Sequence, residues 1–183
     1  WALIILILIK LVDIHVKKIY LVRHAKSSQN NFSLADKDRP LSSGGIEECK
    51  KLSNYLSIKN ISPDIIHCSG ARRCLDTLEL IFQDINLDNK IVKIENNLYG
   101  ADLHFLLNLI SYTSDRFQSL MIVNHEPVLT QLTNQLIKNS KDEDKKNDFN
   151  KFSTCGIAFL EHDSENWEKI NSYNMHLIDF VKP

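Results

Sequence analysis

The chain predicts an α/β layered fold built on a largely parallel sheet. Two observations carry this. Short apolar, β-rich runs alternate along the chain with stretches of helical periodicity. The length, 183 residues, suits one domain and is short for two.

Taken in order, Lys18–Val22 is a β-rich run that ends at Arg23, and a polar stretch containing Pro40 follows as a loop. From Ser43 the residues Ile46, Cys49, Leu52 and Leu56 recur at helical spacing, with Ser42 or Ser43 as the cap. Asp64–Ser69 reads as a second buried strand and Ala71–Phe82 as a helix with Leu75, Leu78 and Phe82 on one face. Ile91–Glu95 is a third strand, and Asp102–Ile110 a helix whose start Asp102 suits. Leu120–Asn124 is a fourth strand. Pro127–Ile137 is a helix with proline in its first turn, where a missing N–H is harmless. Asn139–Asn150 is a charged run with no apolar face and reads as a solvated loop. Gly156–Glu161 and Met175–Val181 close the fold as strands.

Trp1–Val12 is apolar apart from Lys10. It is too short to span a bilayer and lacks the basic start and cleavage site of a signal peptide. A truncated signal or anchor, translated sequence upstream of the true start, and an extra buried strand are the three readings. The second is favoured, because an ordinary domain can begin near Lys17. Residues 1–16 are therefore set apart from one domain over 17–183.

Composition excludes several classes. With 43% hydrophobic and 25% charged residues, the chain is an ordinary soluble globular one, neither disordered nor polytopic. Its formal net charge of −1 asks for no nucleic acid or anionic membrane. Cys49, Cys68, Cys74 and Cys155 form no C-x-x-C pair and read as free thiols in a reducing, cytoplasmic setting; Cys155 as a nucleophile is the weaker reading. Arginine is scarce against lysine, so Arg23, Arg39, Arg72, Arg73 and Arg116 each draw notice.

Open α/β sheets bind ligands at the carboxyl ends of strands. There the sequence places Arg23-His24, then Ser69-Gly70-Ala71 running into Arg72-Arg73, and Asn124-His125-Glu126-Pro127. A guanidinium fork matches phosphate oxygens two at a time, and a neutral imidazole is a nucleophile. Two Arg and two His at one sheet edge thus suit phosphoryl transfer, which needs in-line positioning and stabilised charge. Taken singly, each element has a plainer explanation: His125 as a helix-entry residue, Arg72 and Arg73 as an exposed basic pair. His15, His67, His104, His162 and His176 are assigned to surface or satisfied core sites.

Leu21-Val22-Arg23-His24-Ala25-Lys26-Ser27-Ser28 resembles the signature of the histidine phosphatase (phosphoglycerate mutase-like) superfamily, and within it the small SixA-type branch of phosphohistidine phosphatases. Asp38–Gly45, Cys68–Thr77, Val123–Pro127 and Thr154–Ala158 are similar to further motifs of that branch, in the same order. Gly70 stands where the family usually has Pro, Gln29-Asn30 replaces a common Trp and its neighbour, and Asn124 replaces Gly or Ser. The resemblance implies a three-layer α/β/α sandwich without a large cap, and a phosphatase working through a phosphohistidine enzyme. His24 would be the nucleophile, with Arg23, Arg73 and His125 as phosphoryl ligands. Asn30 would be a secondary substrate contact and Asp102 either the acid or only a helix cap. Counting back from Thr77 puts the phosphate-binding Arg on Arg73, not Arg72. Cys155 takes a structural role.

No cofactor or metal is expected, since side chains supply the positive charge. The expected substrate is phosphohistidine on a protein, reached through an open mouth, and a monomer is favoured. A small-molecule phosphomonoesterase or mutase, an inactive phosphate-binding module, and a metalloenzyme using Asp36 and Asp38 are the alternatives.

Overall fold

A strand with an unbroken apolar run must be covered on both faces, and β1 (Val16–Arg23), apolar from Ile19 to Val22, shows how. Ile19 and Leu21 turn into one core cluster while Tyr20 and Val22 turn into another. The computed structural model describes residues 16–29, 33–85, 87, 91–137, 151–170 and 175–183. The readings made for Trp1–Val12, His15, Asn30 and the charged run 139–150 lie outside the described residues.

Five further strands join β1: β2 (Ile65–Ser69), β3 (Val92–Glu95), β4 (Ser119–Asn124), β5 (Ile157–Asp163) and β6 (His176–Val181). The sheet order is β3-β2-β4-β1-β5-β6. The first four strands of that order run parallel, while β5 and β6 pair antiparallel at the far side. β1, β2 and β4 are adjacent and parallel, so their carboxyl ends meet at one edge.

Helices α1 (Ser43–Ile58) and α2 (Arg72–Ile81) cover one face, burying Cys49, Leu52, Leu56, Cys74, Leu78 and Ile81 against Tyr20, Val22, Met121 and Val123. Helices α3 (Leu103–Ser111) and α4 (Val128–Leu136) cover the other, with Leu106, Ile110, Leu129 and Leu132 on Ile19, Leu21, Leu120 and Ile122. The result is the three-layer α/β/α sandwich. No helix among the described residues is long and apolar enough to cross a membrane.

Each element forms within a residue or two of its expected bounds. Ser42 is the cap of α1, its Oγ accepting from Gly45 N at 3.1 Å. Ile46 departs from the buried stripe and is 38% exposed. Asp64 lies just ahead of β2 and does a different job: its Oδ2 accepts from Gln118 N, Ser119 N and Ser119 Oγ at 2.7–3.0 Å, pinning the start of β4. His67 is a satisfied core histidine, paired with Glu95.

One glycine decides how α1 meets the strand-end loop. A Cβ at Gly45 would stand 2.1 Å from the Lys26 carbonyl oxygen, so only glycine lets the first helical turn close on the segment after His24. Ser42 N and Ser42 Oγ both donate to that same carbonyl, at 2.9 and 3.0 Å.

Candidate active site

His24 follows β1 directly and is held by backbone from both sides. Its N–H donates to Asn124 O at 3.0 Å and its carbonyl accepts from Cys155 N at 3.2 Å. The ring is held too: Nδ1 is 2.8 Å from the Ala25 carbonyl, which can only accept, so the proton sits on Nδ1. Nε2 is left unprotonated, and its lone pair accepts from Arg73 Nε at 3.3 Å. Burial, and next the charges of Arg73, Arg23 and Arg39, push the His24 pKa down to about 4 against the opposing Ala25 bond. The imidazole is therefore neutral at physiological pH.

Arg73 enters from the first turn of α2 and is buried. Its Nη1 donates to Asp36 O at 2.6 Å and its Nη2 to Asp36 Oδ2 at 3.0 Å. Thr77, one turn on, ties the helix to the nucleophile segment: Ala25 N donates to its Oγ1 at 2.9 Å, and Oγ1 donates to Arg73 O at 2.6 Å. Arg72 faces away, with its side chain 62% exposed and paired to Asp76 at 3.3 Å.

His125 arrives at the end of β4, its ring centroid 5.0 Å from that of His24. Its Nε2 and Ser69 Oγ are hydrogen-bonded at 3.0 Å, and the Tyr99 ring stands edge-on at 5.5 Å. Burial, then the neighbouring His24 and Arg73, lower its pKa to about 3. An incoming phosphoryl anion acts in the opposite direction and favours the protonated, donating form. Arg23 lies across the cleft floor, its Nη1 donating to Phe152 O at 2.7 Å. Its Nε is buried with no hydrogen-bond partner among the described residues.

Arg23, His24 and Arg73 open on a cleft of about 470 Å³ that Arg39, Ser27 and Thr154 also line, among others. A larger cavity of about 560 Å³ lies around His67, Glu95, Phe105 and Tyr112 and is lined by none of Arg23, His24, Arg73 and His125.

The structure brings Arg23, His24, Arg73 and His125 together. It does not bring Asp102 to them: Asp102 is exposed and caps α3, its Oδ1 accepting from Phe105 N at 2.8 Å. Cys155 is fully buried, its thiol 3.9 Å from Cys49 Sγ and its pKa pushed up by that contact and by burial. A buried thiol with a raised pKa is no nucleophile, which leaves the structural role. Asp36, weighed above only as a metal ligand beside Asp38, is committed to guanidinium groups instead. Among the described residues no group of three or more His, Cys, Asp or Glu is placed to hold a metal ion.

Arg39, Asp36 and Tyr99 join this site in roles that the sequence reading did not assign to them. Arg39 donates to Ser28 O, Ser27 Oγ and Asp36 Oδ1 at 3.0, 2.6 and 2.8 Å. Asp36 Oδ2 also accepts from Tyr99 Oη at 2.8 Å. The scarcity of arginine was a signal for Arg39; nothing in the sequence pairs Asp36 with Tyr99.

The family model of the histidine phosphatase superfamily (branch 1) matches residues 19–98. An uncharacterised protein of Mycobacterium tuberculosis is 29% identical over 164 residues, covering 88% of this chain and 99% of its own length. A crystal structure from Agrobacterium tumefaciens, described as a candidate phosphohistidine phosphatase SixA, aligns with a TM-score of 0.76 at 27% identity, over 91% of this chain and 98% of that one. The protein histidine phosphatase SixA in complex with tungstate aligns with a TM-score of 0.73 at 20% identity, over 91% and 97%. The matched segment runs from inside β1 to the residue ahead of Tyr99, taking in both the His24 loop and the Arg73 helix. Over that segment this chain is similar to the histidine phosphatase superfamily (branch 1).

Proposed function

We propose that the chain is a phosphatase that works without a metal, through phosphorylated His24, on phosphohistidine carried by a protein. The observation that carries the reading is the state of His24. Its Nδ1 proton is fixed on the Ala25 carbonyl and its Nε2 lone pair faces the cleft beside a guanidinium. That is the arrangement an in-line attack on phosphorus needs.

In the first step the Nε2 lone pair attacks phosphorus and the bond to the leaving group breaks. The proton stays on Nδ1, and the Ala25 carbonyl that accepts from it stabilises the positive charge that appears on the ring. Arg23 and Arg73 carry the phosphoryl oxygens through the transition state, and His125, protonated once the anion is in place, donates to a third. Each fixed donor of this kind contributes about 3–4 kcal/mol to the barrier reduction in comparable sites. Water then attacks the phosphohistidine from the vacated side and regenerates His24.

A protein substrate is supported by the mouth. The cleft lies at an open sheet edge, and no inserted cap domain covers it among the described residues. A histidine side chain displayed on another protein can reach such a site. The leaving group agrees: imidazole departs readily once its second nitrogen is protonated, so no strong acid is needed in the cleft. The deciding experiment compares kcat/KM for a phosphohistidine protein with that for a panel of phosphorylated metabolites. A preference for the protein of a hundredfold or so is expected; the reverse preference selects the small-molecule phosphomonoesterase reading.

A further inference from the structure

Nothing in the phosphoryl chemistry above calls for a carboxylate, yet Asp36 places one on Arg73 and Arg39, two residues that line the cleft. Its Oδ2 accepts from Tyr99 Oη at 2.8 Å and from Arg73 Nη2 at 3.0 Å, and its Oδ1 from Arg39 Nη1 at 2.8 Å. Its backbone carbonyl takes Arg73 Nη1 as well, at 2.6 Å. The next residue fixes the segment from the other side, with Lys37 Nζ donating to Asn96 Oδ1 at 2.8 Å. The Tyr99 hydroxyl first, then the Arg73 and Arg39 guanidiniums, hold the carboxyl at about 2 against burial, so it is an anion whenever the enzyme works. The side chain is nonetheless 52% exposed.

The location is close to the chemistry. One guanidinium separates the carboxylate from the attacking atom, since Arg73 holds Asp36 through Nη2 and faces His24 Nε2 through Nε. A fixed anion here repels a phosphate, which is a poor design for affinity alone. It becomes useful when the group carrying the phosphate is itself a cation with a donor to offer. Phosphohistidine protonated on its second ring nitrogen is such a group.

We propose that Asp36, held by Arg39, Arg73 and Tyr99, accepts a hydrogen bond from the free ring N–H of the departing imidazole and so selects phosphohistidine over phosphoesters. The inference rests on the proposed phosphohistidine substrate and deepens it. The step balances without an added acid. The His24 Nε2 lone pair forms the new P–N bond, the old P–N bond breaks, and its electron pair returns to the departing nitrogen. The proton already on the other ring nitrogen remains there, and a neutral imidazole leaves. Asp36 takes no proton; it stabilises the cationic form of the substrate on entry. Phosphoserine or a sugar phosphate brings no ring N–H, and meets the carboxylate as repulsion only. Arg39, Arg73, Tyr99, Lys37 and His125 are the charged or titratable groups around it.

The test measures kcat and KM for a phosphohistidine peptide and for p-nitrophenyl phosphate with the wild-type chain, Asp36→Asn and Asp36→Glu. Losing a charge-assisted hydrogen bond to one substrate only should lower the ratio of the two kcat/KM values about tenfold in Asp36→Asn, mostly through KM for the peptide. Asp36→Glu should recover part of it. A ratio within twofold of wild type overturns the proposal. That holds if both rates fall together, as for a mere support of Arg73, and if both rise together, as for a carboxylate that only competes with phosphate. A second measurement needs no variant: wild-type enzyme is given phosphoimidazole and its N-methylated form, which stays cationic but has no N–H. KM about tenfold higher for the methylated compound supports the hydrogen bond, and equal KM values overturn it. Failure of the wild type to hydrolyse any P–N substrate would be a different result, and would strike the proposed function itself.

Discussion

Arg73→Lys tests the site at its most informative point, because the neighbouring residue supplies the control. Arg73 makes three directed N–H contacts, to His24 Nε2, Asp36 O and Asp36 Oδ2, from a buried position. A lysine ammonium keeps the charge and has no fork, so it cannot reach both the Asp36 wall and the nucleophile side. Hydrogen bonds to charged groups are worth about 1.5–3 kcal/mol each, and the retained charge offsets part of the loss. A net penalty of about 1.4–3 kcal/mol is a tenfold to hundredfold fall in kcat/KM. Arg72 has only its exposed pair with Asp76 to lose. Helical pairs of that kind contribute about 0.3–0.5 kcal/mol, so Arg72→Lys should stay within about twofold. The assay is steady-state turnover of p-nitrophenyl phosphate, with thermal melts to exclude unfolding. An Arg73→Lys enzyme within threefold of wild type, or a larger effect at Arg72, would refute the reasoning.

His24→Ala should abolish turnover and leave no acid-labile phosphoenzyme; trapping with labelled phosphate checks this, and an undiminished adduct would remove His24 as the nucleophile. With pKa values near 4 and 3, His24 and His125 should keep their charge between pH 7 and 5 in the free enzyme, so their ring proton shifts stay constant by NMR in a range where an ordinary histidine titrates. The same depression means that the unfolded chain binds protons first as the pH falls. The stability from these two residues is therefore complete above about pH 6.5 and is lost progressively below it, which denaturant midpoints at pH 7.5 and 5.5 will register. Asp102→Asn preserves a good helix cap and should change phosphohistidine turnover less than threefold, roughly; efficient alkyl phosphate hydrolysis that disappears in this variant would make Asp102 the acid of a phosphomonoesterase.

The core of the fold was legible because its signals are local. Ile19 to Val22 and Leu120 to Val123 are apolar at every position, which only a strand covered on both faces tolerates. Strand ends then located His24 and His125, and the family resemblance, counted back from Thr77, separated Arg73 from Arg72. What was not legible depends on which loops meet at the sheet edge. Asp36, Arg39 and Tyr99 lie in different segments, with Tyr99 63 positions beyond Asp36, and no periodicity links them. Asp36 and Asp38 look alike in the sequence. Only the structure shows that two guanidiniums and a phenol converge on Asp36. Ile46 fits the apolar spacing of α1 and is still exposed, because periodicity marks the centre of a buried stripe and not its width.

The antiparallel entry of β5 explains a feature that the parallel part of the sheet alone would not produce. β1 has β4 running with it on one side and β5 running against it on the other. At its carboxyl end it therefore meets the end of one strand and the start of another. The strand that ends there delivers Asn124 and the following His125. The strand that starts there delivers a tight turn, with Cys155 in the left-handed region at φ 54° and Gly156 next to it. That turn brings Gly156 O to Arg23 N at 3.0 Å and Cys155 N to His24 O at 3.2 Å. A left-handed non-glycine residue carries a conformational cost of about 1 kcal/mol, which persists only where surrounding contacts enforce it. Here they do: the Cys155 side chain is sealed against Cys49, and its backbone holds the carbonyl of the nucleophile. The backbone of His24 is thus clamped from both flanks before any side chain is considered. The ring needs only the Ala25 carbonyl and Arg73 to be aimed.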